Sequence, residues 1–368
     1  MAEMLTPRDR MIKALAFEEA DLVPYHLMIE ESVRLQLAVY LDDANFEQRL
    51  INHLPFYNLE PKITWNSSAT YTDAFGAVWR KGSAPHLEHC PLPTATLAGY
   101  HFPDLLEPDY FRGAGDFLSR HRQYFTFCAI NHGFFDRGWA LRGMENFLVD
   151  FIHAPRFVEE LFAILTDAYA RLIDHIAACG FDGIRFGDDW GYQRGVLIGA
   201  ERWRKFVKPG LKQLFIRARA LGLTVMVHSD GDITELIPDL LEMGVQILNP
   251  VQPEAMDILA IKREFGRELC LNGGISTQRT LPAGTAEDMR REVAACLRYL
   301  GKNGGYVLSP AKAILPDVPM ANAAALIEAM VNQPPPGGRR GEEALPERVE
   351  ALWRVYAEFH PEKGALAT

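Results

Sequence analysis

The chain alternates short apolar runs with longer amphipathic stretches. Strands are predicted at Leu22–Ile29, Pro61–Trp65, Gln123–Ile130, Gly183–Phe186 and Leu223–Val227, then at Gln246–Asn249, Glu268–Leu271 and Gly305–Leu308. Between the later strands the apolar residues recur at helical spacing: Phe162, Leu165, Ala168, Leu172 and Ile176 line one face of a helix predicted over Val158–Cys179. Thr6 and Pro7 read as the cap and first residue of a helix running to Phe17. Eight strands joined by helices predict an α/β protein of the (β/α)8 TIM-barrel class, because parallel strands need crossover connections. A doubly wound open sheet is the alternative.

Two stretches exceed a minimal barrel. The connection from Asn66 to Arg122 is far longer than usual. It contains DAFGAVWRKG, a hairpin pattern, followed by Pro85, Pro91 and Pro93. Near the other end, NQPPPGGRRGEE has linker composition and leads to an amphipathic helix predicted over Pro346–Phe359, with Leu352, Trp353 and Tyr356 on it. The expected organisation is a barrel over residues 1–332, a linker over 333–345 and a helical tail over 346–368.

Composition narrows the function. The chain has 368 residues, 48% hydrophobic and 23% charged, which is the balance of a globular protein. A formal net charge of -10 argues against a nucleic-acid partner or an anionic membrane surface. No apolar run is long enough for a membrane helix, and the first residues contain no apolar signal core. The five cysteines are scattered without a CxxC or CxC pair. This pattern fits reduced thiols in a cytoplasm and argues against a disulfide framework.

In a barrel the chemistry sits at the C-terminal strand ends. Those positions offer Glu30 and Glu31, Asn66, Asn131 and His132, then Asp188, Asp189, Trp190, Tyr192, Gln193 and Arg194 from GDDWGYQRG. They continue with His228 and Asp230 from MVHSDGDI, with Asn249, Gln252 and Glu254, with Asn272, Gly273 and Gly274, and with Ser309 and Lys312. Each has an ordinary alternative. Asp188 or Asp189 could cap a loop, Asp230 or Asp232 could start the helix at ITELIPDLL, the glycines could serve a turn, and Trp190 and Trp139 could be packing walls. The joint arrangement of a carboxylate pair, a His-x-Asp and a Lys at three strand ends singles out His228, Asp188, Asp189 and Lys312 as catalytic candidates. Glu30, Asn131, His132, Trp190, Tyr192, Arg194, Asn249, Gln252 and Asn272 are the substrate-contact candidates, and His228 and Asp230 the metal candidates.

The stretches RGWALRGMENFL, FGDDWGYQRGVLIGAERWRKFVKPGLK, VMVHSDGDITELIPDLLEMGVQILNPVQPEAMD, NGGISTQRTLPAGTAEDM and GGYVLSPAKAILPDVPMAN resemble, in this order, the uroporphyrinogen decarboxylase superfamily. That group includes the haem-pathway decarboxylase and cobalamin-dependent methyltransferases. The resemblance spans roughly residues 137–322 and implies the barrel independently. It also implies two departures. The decarboxylases carry an Arg-rich motif at the first strand end, where this chain reads YHLMIEES, with Glu30 and Glu31. The zinc methyltransferases carry His-x-Cys at the fifth strand and a second Cys past the eighth, and the corresponding positions here are His228, Asp230 and Lys312. The thiolate-rich zinc site is thus replaced, with an Asp230–Lys312 ion pair as the expected substitute. Asp230 keeps the capacity to hold zinc or a harder divalent ion through oxygen.

Three functions follow as expectations. The first is a methyltransferase moving a methyl group from a small O-, N- or S-methyl compound to a corrinoid on a separate protein, or to another acceptor. No Asp-x-His-x-x-Gly corrinoid signature occurs in this chain. The second is a decarboxylase or lyase on a small acid, its carboxylate held by Lys312, Arg137 or Arg194. The third is a non-catalytic ligand-binding barrel. A homodimer is a further expectation, with Trp353 and Tyr356 at its interface. The acidic, aromatic rim of Glu30, Asp188, Asp189, Trp190 and Tyr192 predicts selection of neutral or cationic methyl compounds.

Overall fold

The computed structural model describes residues 5–59, 62–82 and 85–336. The linker beyond 336 and the helix expected at Pro346–Phe359 lie outside the described residues. The strands run in chain order β1 (Phe56–Asn58), β2 (Thr64–Trp65), β3 (Thr70–Thr72), β4 (Val78–Arg80), β5 (His86–His89), β6 (Phe127–Ile130) and β7 (Gly183–Gly187). They continue with β8 (Gly191–Tyr192), β9 (Gly195–Val196), β10 (Thr224–His228), β11 (Ile247–Val251), β12 (Cys270–Ile275) and β13 (Tyr306–Pro310).

A curled parallel sheet of seven strands, ordered β1-β6-β7-β10-β11-β12-β13, forms the centre of this α/β fold. Helices Pro155–Cys179, Lys208–Ala220, Ile237–Glu242, Ile258–Phe265 and Ala286–Ala295 supply the crossovers. The alternation of strand side chains sorts the core into two sets. Phe127, Met226, Ile247, Cys270 and Val307 cluster with Met11 and Leu54 inside the curl, while Ile130, Ile184, Phe186, Val225, Val227, Leu248, Leu271 and Leu308 belong to the larger helix-covered core. On the inner face, the positions one repeat further along are polar: Arg185, His228, Asn249, Asn272 and Ser309. The sheet therefore has an apolar floor beneath a polar layer, and the site is built on that layer.

Two predicted strands are corrected. Leu22–Ile29 forms no regular strand, although the segment lies beside β13 where one was expected. It touches β13 through a bridge at Tyr25, with His26 N–H donating to the Leu308 carbonyl at 3.0 Å and Leu308 N–H to that of Pro24 at 2.9 Å, and Ile29 bridges Ile314 just past that strand. On its other side the partners are the Asn52 side chain and the His53 backbone, and Pro24 brings no donor, so a continuous ladder cannot form. The expected second strand, Pro61–Trp65, is not a stave of the parallel sheet either. That place is taken by β1, whose three residues give too short a period to detect. Thr64 and Trp65 instead begin a four-stranded antiparallel sheet, β2-β3-β4-β5, and Asn66 belongs to its first turn. DAFGAVWRKG supplies the turn after β3 and the strand β4, which pairs back onto β3. The N-terminal helix spans Pro7–Leu15, with Thr6 as a capping-box residue.

Candidate active site

A cavity of about 540 Å³ opens at the C-terminal ends of the parallel strands. Its floor and one wall carry Arg185, Asp189, His228, Asn131 and Asp136, and the antiparallel sheet closes over them with Tyr71, Phe75 and Trp79. Asp73 anchors that cover. Its carboxylate accepts from the backbone N–H of Phe75 and Ala77, from Trp79 Nε1 at 3.1 Å and from an Arg137 guanidinium nitrogen at 3.1 Å. Arg137 also stacks 3.6 Å from the Phe75 ring centroid. Trp79 meets Trp139 edge to face at 5.6 Å and lies over His132. A smaller apolar pocket of about 130 Å³, lined by Leu59, Leu105, Tyr110 and Leu172 among others, adjoins at Asn131 and His132.

His228 ends β10, and its Nδ1 lies 2.6 Å from Asn249 Oδ1. The orientation of this contact follows from the far end of a row of hydrogen bonds. Asn272 Nδ2 reaches the Val307 carbonyl at 3.1 Å and Ser309 Oγ at 3.0 Å, and a backbone carbonyl only accepts. Asn272 Oδ1 must therefore accept from Asn249 Nδ2 at 2.6 Å, which leaves Asn249 Oδ1 to accept from His228 Nδ1–H. The free lone pair of His228 is then on Nε2, 3.9 Å from Asp189 Oδ1. Burial, and secondarily the Arg185 charge, lowers the His228 pKa and favours the neutral ring.

A second row approaches from the other side of the sheet. Arg185 has only donors, so its 2.9 Å contact fixes Asn131 Oδ1 as acceptor, and Asn131 Nδ2 donates to Asn58 Oδ1 at 3.2 Å. The two rows end on neighbouring strands, where β7 and β10 pair Arg185 with Met226 and Gly187 with His228.

The two aspartates of GDDWG part company. Asp188 is fully buried. It accepts from the backbone N–H of Phe134, Phe135 and Asp136, the first turn of the Phe134–Arg142 helix, and from Trp190 Nε1 at 2.6 Å. Gly133 permits this approach, because a Cβ there would sit 2.7 Å from the Asp188 side chain. Asp189, in contrast, lines the cavity and accepts from Asp230 N–H at 2.9 Å. Asp136, absent from the strand-end candidates, also lines the cavity. Burial first, and then the negative charges of Asp188 and Asp189, push its carboxyl well above the usual range. Burial raises the Asp188 carboxyl as well, to about 7, with its N–H donors opposing the shift, and Asp136 Oδ1 accepts from Trp139 Nε1 at 3.1 Å.

Asp230 makes the expected ion pair with Lys312 at 3.2 Å and accepts from Gln252 Nε2 at 3.2 Å. Gln252 Oε1 accepts from Gly231 N–H at 2.7 Å. Gly231 has φ +81°, and a Cβ on it would press 2.5 Å from Gly191, so the loop closes only with glycine there. Asp232, not Asp230, makes the local turn, accepting from Thr234 N–H. Among the described residues, Asp189, His228 and Asp230 bring three donor atoms within 4.8 Å of one another. This set is oxygen-rich, lacks a thiolate and has the Lys312 ammonium beside one ligand. The soft, thiolate-rich zinc site that the sequence resemblance brought into question does not fit it.

The remaining candidates are more dispersed. Trp190 is buried against Trp203, with ring centroids 5.2 Å apart, and offers no face to the mouth. Tyr192 and Arg194 are exposed on the β8–β9 hairpin, outside the cavity lining. Glu30 caps its own loop by accepting from Ser32 Oγ at 3.0 Å and is not part of the lining either. Of the acidic rim read from the sequence only Asp189 lines the cavity, which also holds Asp136, the Arg137-paired Asp73 and Arg185. The signal for Arg185 was present as the one charge within the apolar strand GIRFG.

The sequence profile of the uroporphyrinogen decarboxylase (URO-D) family matches residues 137–333, more than half of the chain. The chain belongs to this family. Arg185, Asp189, His228, Asp230 and Lys312 lie within the matched range, and Asp136 and the antiparallel cover lie before it. No curated protein gives a significant match. Among solved structures, a methyltransferase from Methanosarcina mazei superposes with a TM-score of 0.66 over 89% of this chain and 98% of its own, at 18% identity. That likeness establishes the shared fold. A xylose isomerase domain protein from Alicyclobacillus acidocaldarius subsp. acidocaldarius covers 70% of this chain and 90% of its own at 13% identity, and its TM-score of 0.34 carries no argument.

Proposed function

We propose that this URO-D family protein is a methyltransferase-type enzyme. It would take a methyl group from a small O-, N- or S-methyl compound held in the cavity and pass it to a corrinoid on a separate protein, or to another nucleophilic acceptor. The observation that carries this reading is the placement of Asp136, a carboxyl whose neutral form burial favours, on the wall of a small-molecule-sized cavity under an aromatic cover. Breaking a methyl–oxygen bond with transfer of the methyl to a nucleophile leaves an alkoxide or phenoxide. A neutral acid beside that oxygen supplies the proton the leaving group needs. A corrinoid, when docked, supplies the strong nucleophile. The residues of this chain bind and orient the substrate, exclude water and deliver the proton. The structurally similar Methanosarcina mazei protein is a methyltransferase, which agrees with this reading.

A second reading is favoured by Arg185, a guanidinium facing the same cavity: decarboxylation of a small acid. There the carbon–carboxylate bond breaks, carbon dioxide leaves and Asp136 protonates the carbanion. The deciding experiment incubates the purified protein with small methoxy, methylamine and methylthio compounds, with a reduced corrinoid as methyl acceptor. It follows demethylated product and carbon dioxide separately, with uroporphyrinogen as a further substrate. Demethylation supports the first reading. Carbon dioxide release without demethylation moves the assignment to the second, and decarboxylated uroporphyrinogen rejects both small-molecule readings.

A further inference from the structure

Among the described residues Arg137 and Arg185 line the cavity and Lys312 lies outside the lining, and two of these three are already matched. Arg137 is paired with Asp73 at 3.1 Å and stacked on Phe75. Lys312 is paired with Asp230 and is mostly exposed. Arg185 differs. Among the described residues no carboxylate makes an ion pair with it. Its only side-chain hydrogen bond is to the neutral Asn131 amide, and Phe56 lies under the guanidinium at 5.7 Å. None of its nitrogens is among the buried polar atoms without a partner, so the guanidinium N–H groups not bonded to Asn131 face the open cavity.

The surroundings hold this cation in place. Asn131 is itself tied to Asn58, so the guanidinium is steered by a row of amides across three adjacent strands. The row can only accept from Arg185. Nothing in it neutralises the charge, and the Asp189 and Asp230 carboxylates act on the guanidinium across the cavity without either reaching ion-pair distance. A partly buried, positioned and unpaired guanidinium is costly unless an anion completes it. The planar fork of arginine matches a carboxylate through two parallel N–H donors.

We infer that Arg185, oriented by Asn131, is the site for a carboxylate of the substrate, so that the cavity takes small organic acids. This deepens the proposed function but rests only on the cavity being the substrate site, whichever bond breaks there. It also reverses the preference for cationic compounds that the run of acidic residues suggested. The carboxylate would lie on the β7 side of the cavity, leaving the rest of the molecule to extend toward His228, Asp189 and the aromatic cover.

The test is titration calorimetry of the full chain with benzoate and 4-methoxybenzoate, their neutral counterparts benzamide and anisole, and tetramethylammonium. Both carboxylates should bind more tightly than the neutral compounds. Arg185→Gln should weaken carboxylate binding about ten- to hundredfold, and Arg185→Lys by less. Asn131→Asp keeps the guanidinium but gives it an internal carboxylate, and should weaken the same ligands while sparing benzamide. That variant covers the case in which Arg185→Gln fails to fold, which its melting curve reveals. Carboxylates binding no better than benzamide, or binding equally to wild type and a folded Arg185→Gln, would overturn the assignment. Tetramethylammonium as the tightest ligand would do the same. Binding is read without turnover, so failure of the methyl-transfer assay leaves this result standing, and the reverse also holds.

Discussion

The 2.6 Å contact between His228 Nδ1 and Asn249 Oδ1 fixes which imidazole nitrogen carries the hydrogen. The choice is made remotely, by the Val307 carbonyl at the end of the Asn272 row. Asn249→Ala should therefore act on His228 without touching the cavity wall. It leaves Asn272 Oδ1 without its donor in a buried place, a loss of about 1–3 kcal/mol in stability. Nitrogen NMR of the histidines should show the Nδ1–H form of His228 in wild type and a mixture in the variant. An unchanged Nδ1–H population would remove Asn249 from this role.

The neighbouring acids should respond oppositely to the same substitution. Burial favours the neutral form of Asp136, of which Asn is a close copy. Asp136→Asn should fold as stably as wild type and lose about 10²- to 10⁴-fold in turnover, the usual contribution of a proton donor. Asp188 accepts four hydrogen bonds through two oxygens. An amide nitrogen in place of either oxygen would face N–H groups, so Asp188→Asn should cost about 1–3 kcal/mol in urea unfolding. Equal stability losses in the two variants would contradict this division.

Metal content discriminates between the Asp230–Lys312 ion pair and a thiolate zinc site at the same positions. Purified wild-type protein should carry zinc well below one equivalent. Asp230→Cys combined with Lys312→Cys should bind it tightly, since thiolates hold zinc strongly and the repelling ammonium is gone. Wild-type protein with near-stoichiometric zinc that disappears on His228→Ala would show instead that Asp189, His228 and Asp230 are ligands.

The later strands were legible because each is a buried apolar run bounded by a helix of clear period. Thr224–His228 and Tyr306–Pro310 are the examples, each observed within two residues of its predicted limits. The first two staves were not. Pro24 and the Asn52 side chain interrupt one, and Phe56–Asn58 is too short to show alternation. At the site, strand ends pointed to His228, Asp230 and Lys312 because a polar group after an apolar run is conspicuous. Asp188 and Asp189 look equivalent in sequence, yet successive residues at a strand end point to opposite faces, one into the Phe134–Arg142 helix and one into the cavity. Asp136 was hidden by lying in the first turn of a helix, and the cover residues Trp79 and Asp73 by belonging to an insertion whose placement only the fold determines.

His53 provides a test of the interior below the site. It is fully buried beside Tyr25, with ring centroids 4.8 Å apart, and 3.5 Å from Arg10. Burial first, and the Arg10 charge second, lower its pKa to about 3. In the unfolded chain it titrates near 6.5. Above pH 6.5 both states hold it neutral, and its contribution to stability is complete. As pH falls from about 6.5 toward 3, only the unfolded chain takes up the proton. Stability is then lost at about 1.4 kcal/mol per pH unit from this group. Other groups titrate in the same range, so the measurement is a difference. Urea unfolding of wild type and His53→Gln should be compared at pH 7.5, 6, 5 and 4. The variant is less stable at pH 7.5, having lost the ring packing, and the gap should narrow steadily on acidification. A gap that stays constant from pH 7.5 to 4 would mean that His53 accepts its proton in the folded state as readily as in the unfolded one.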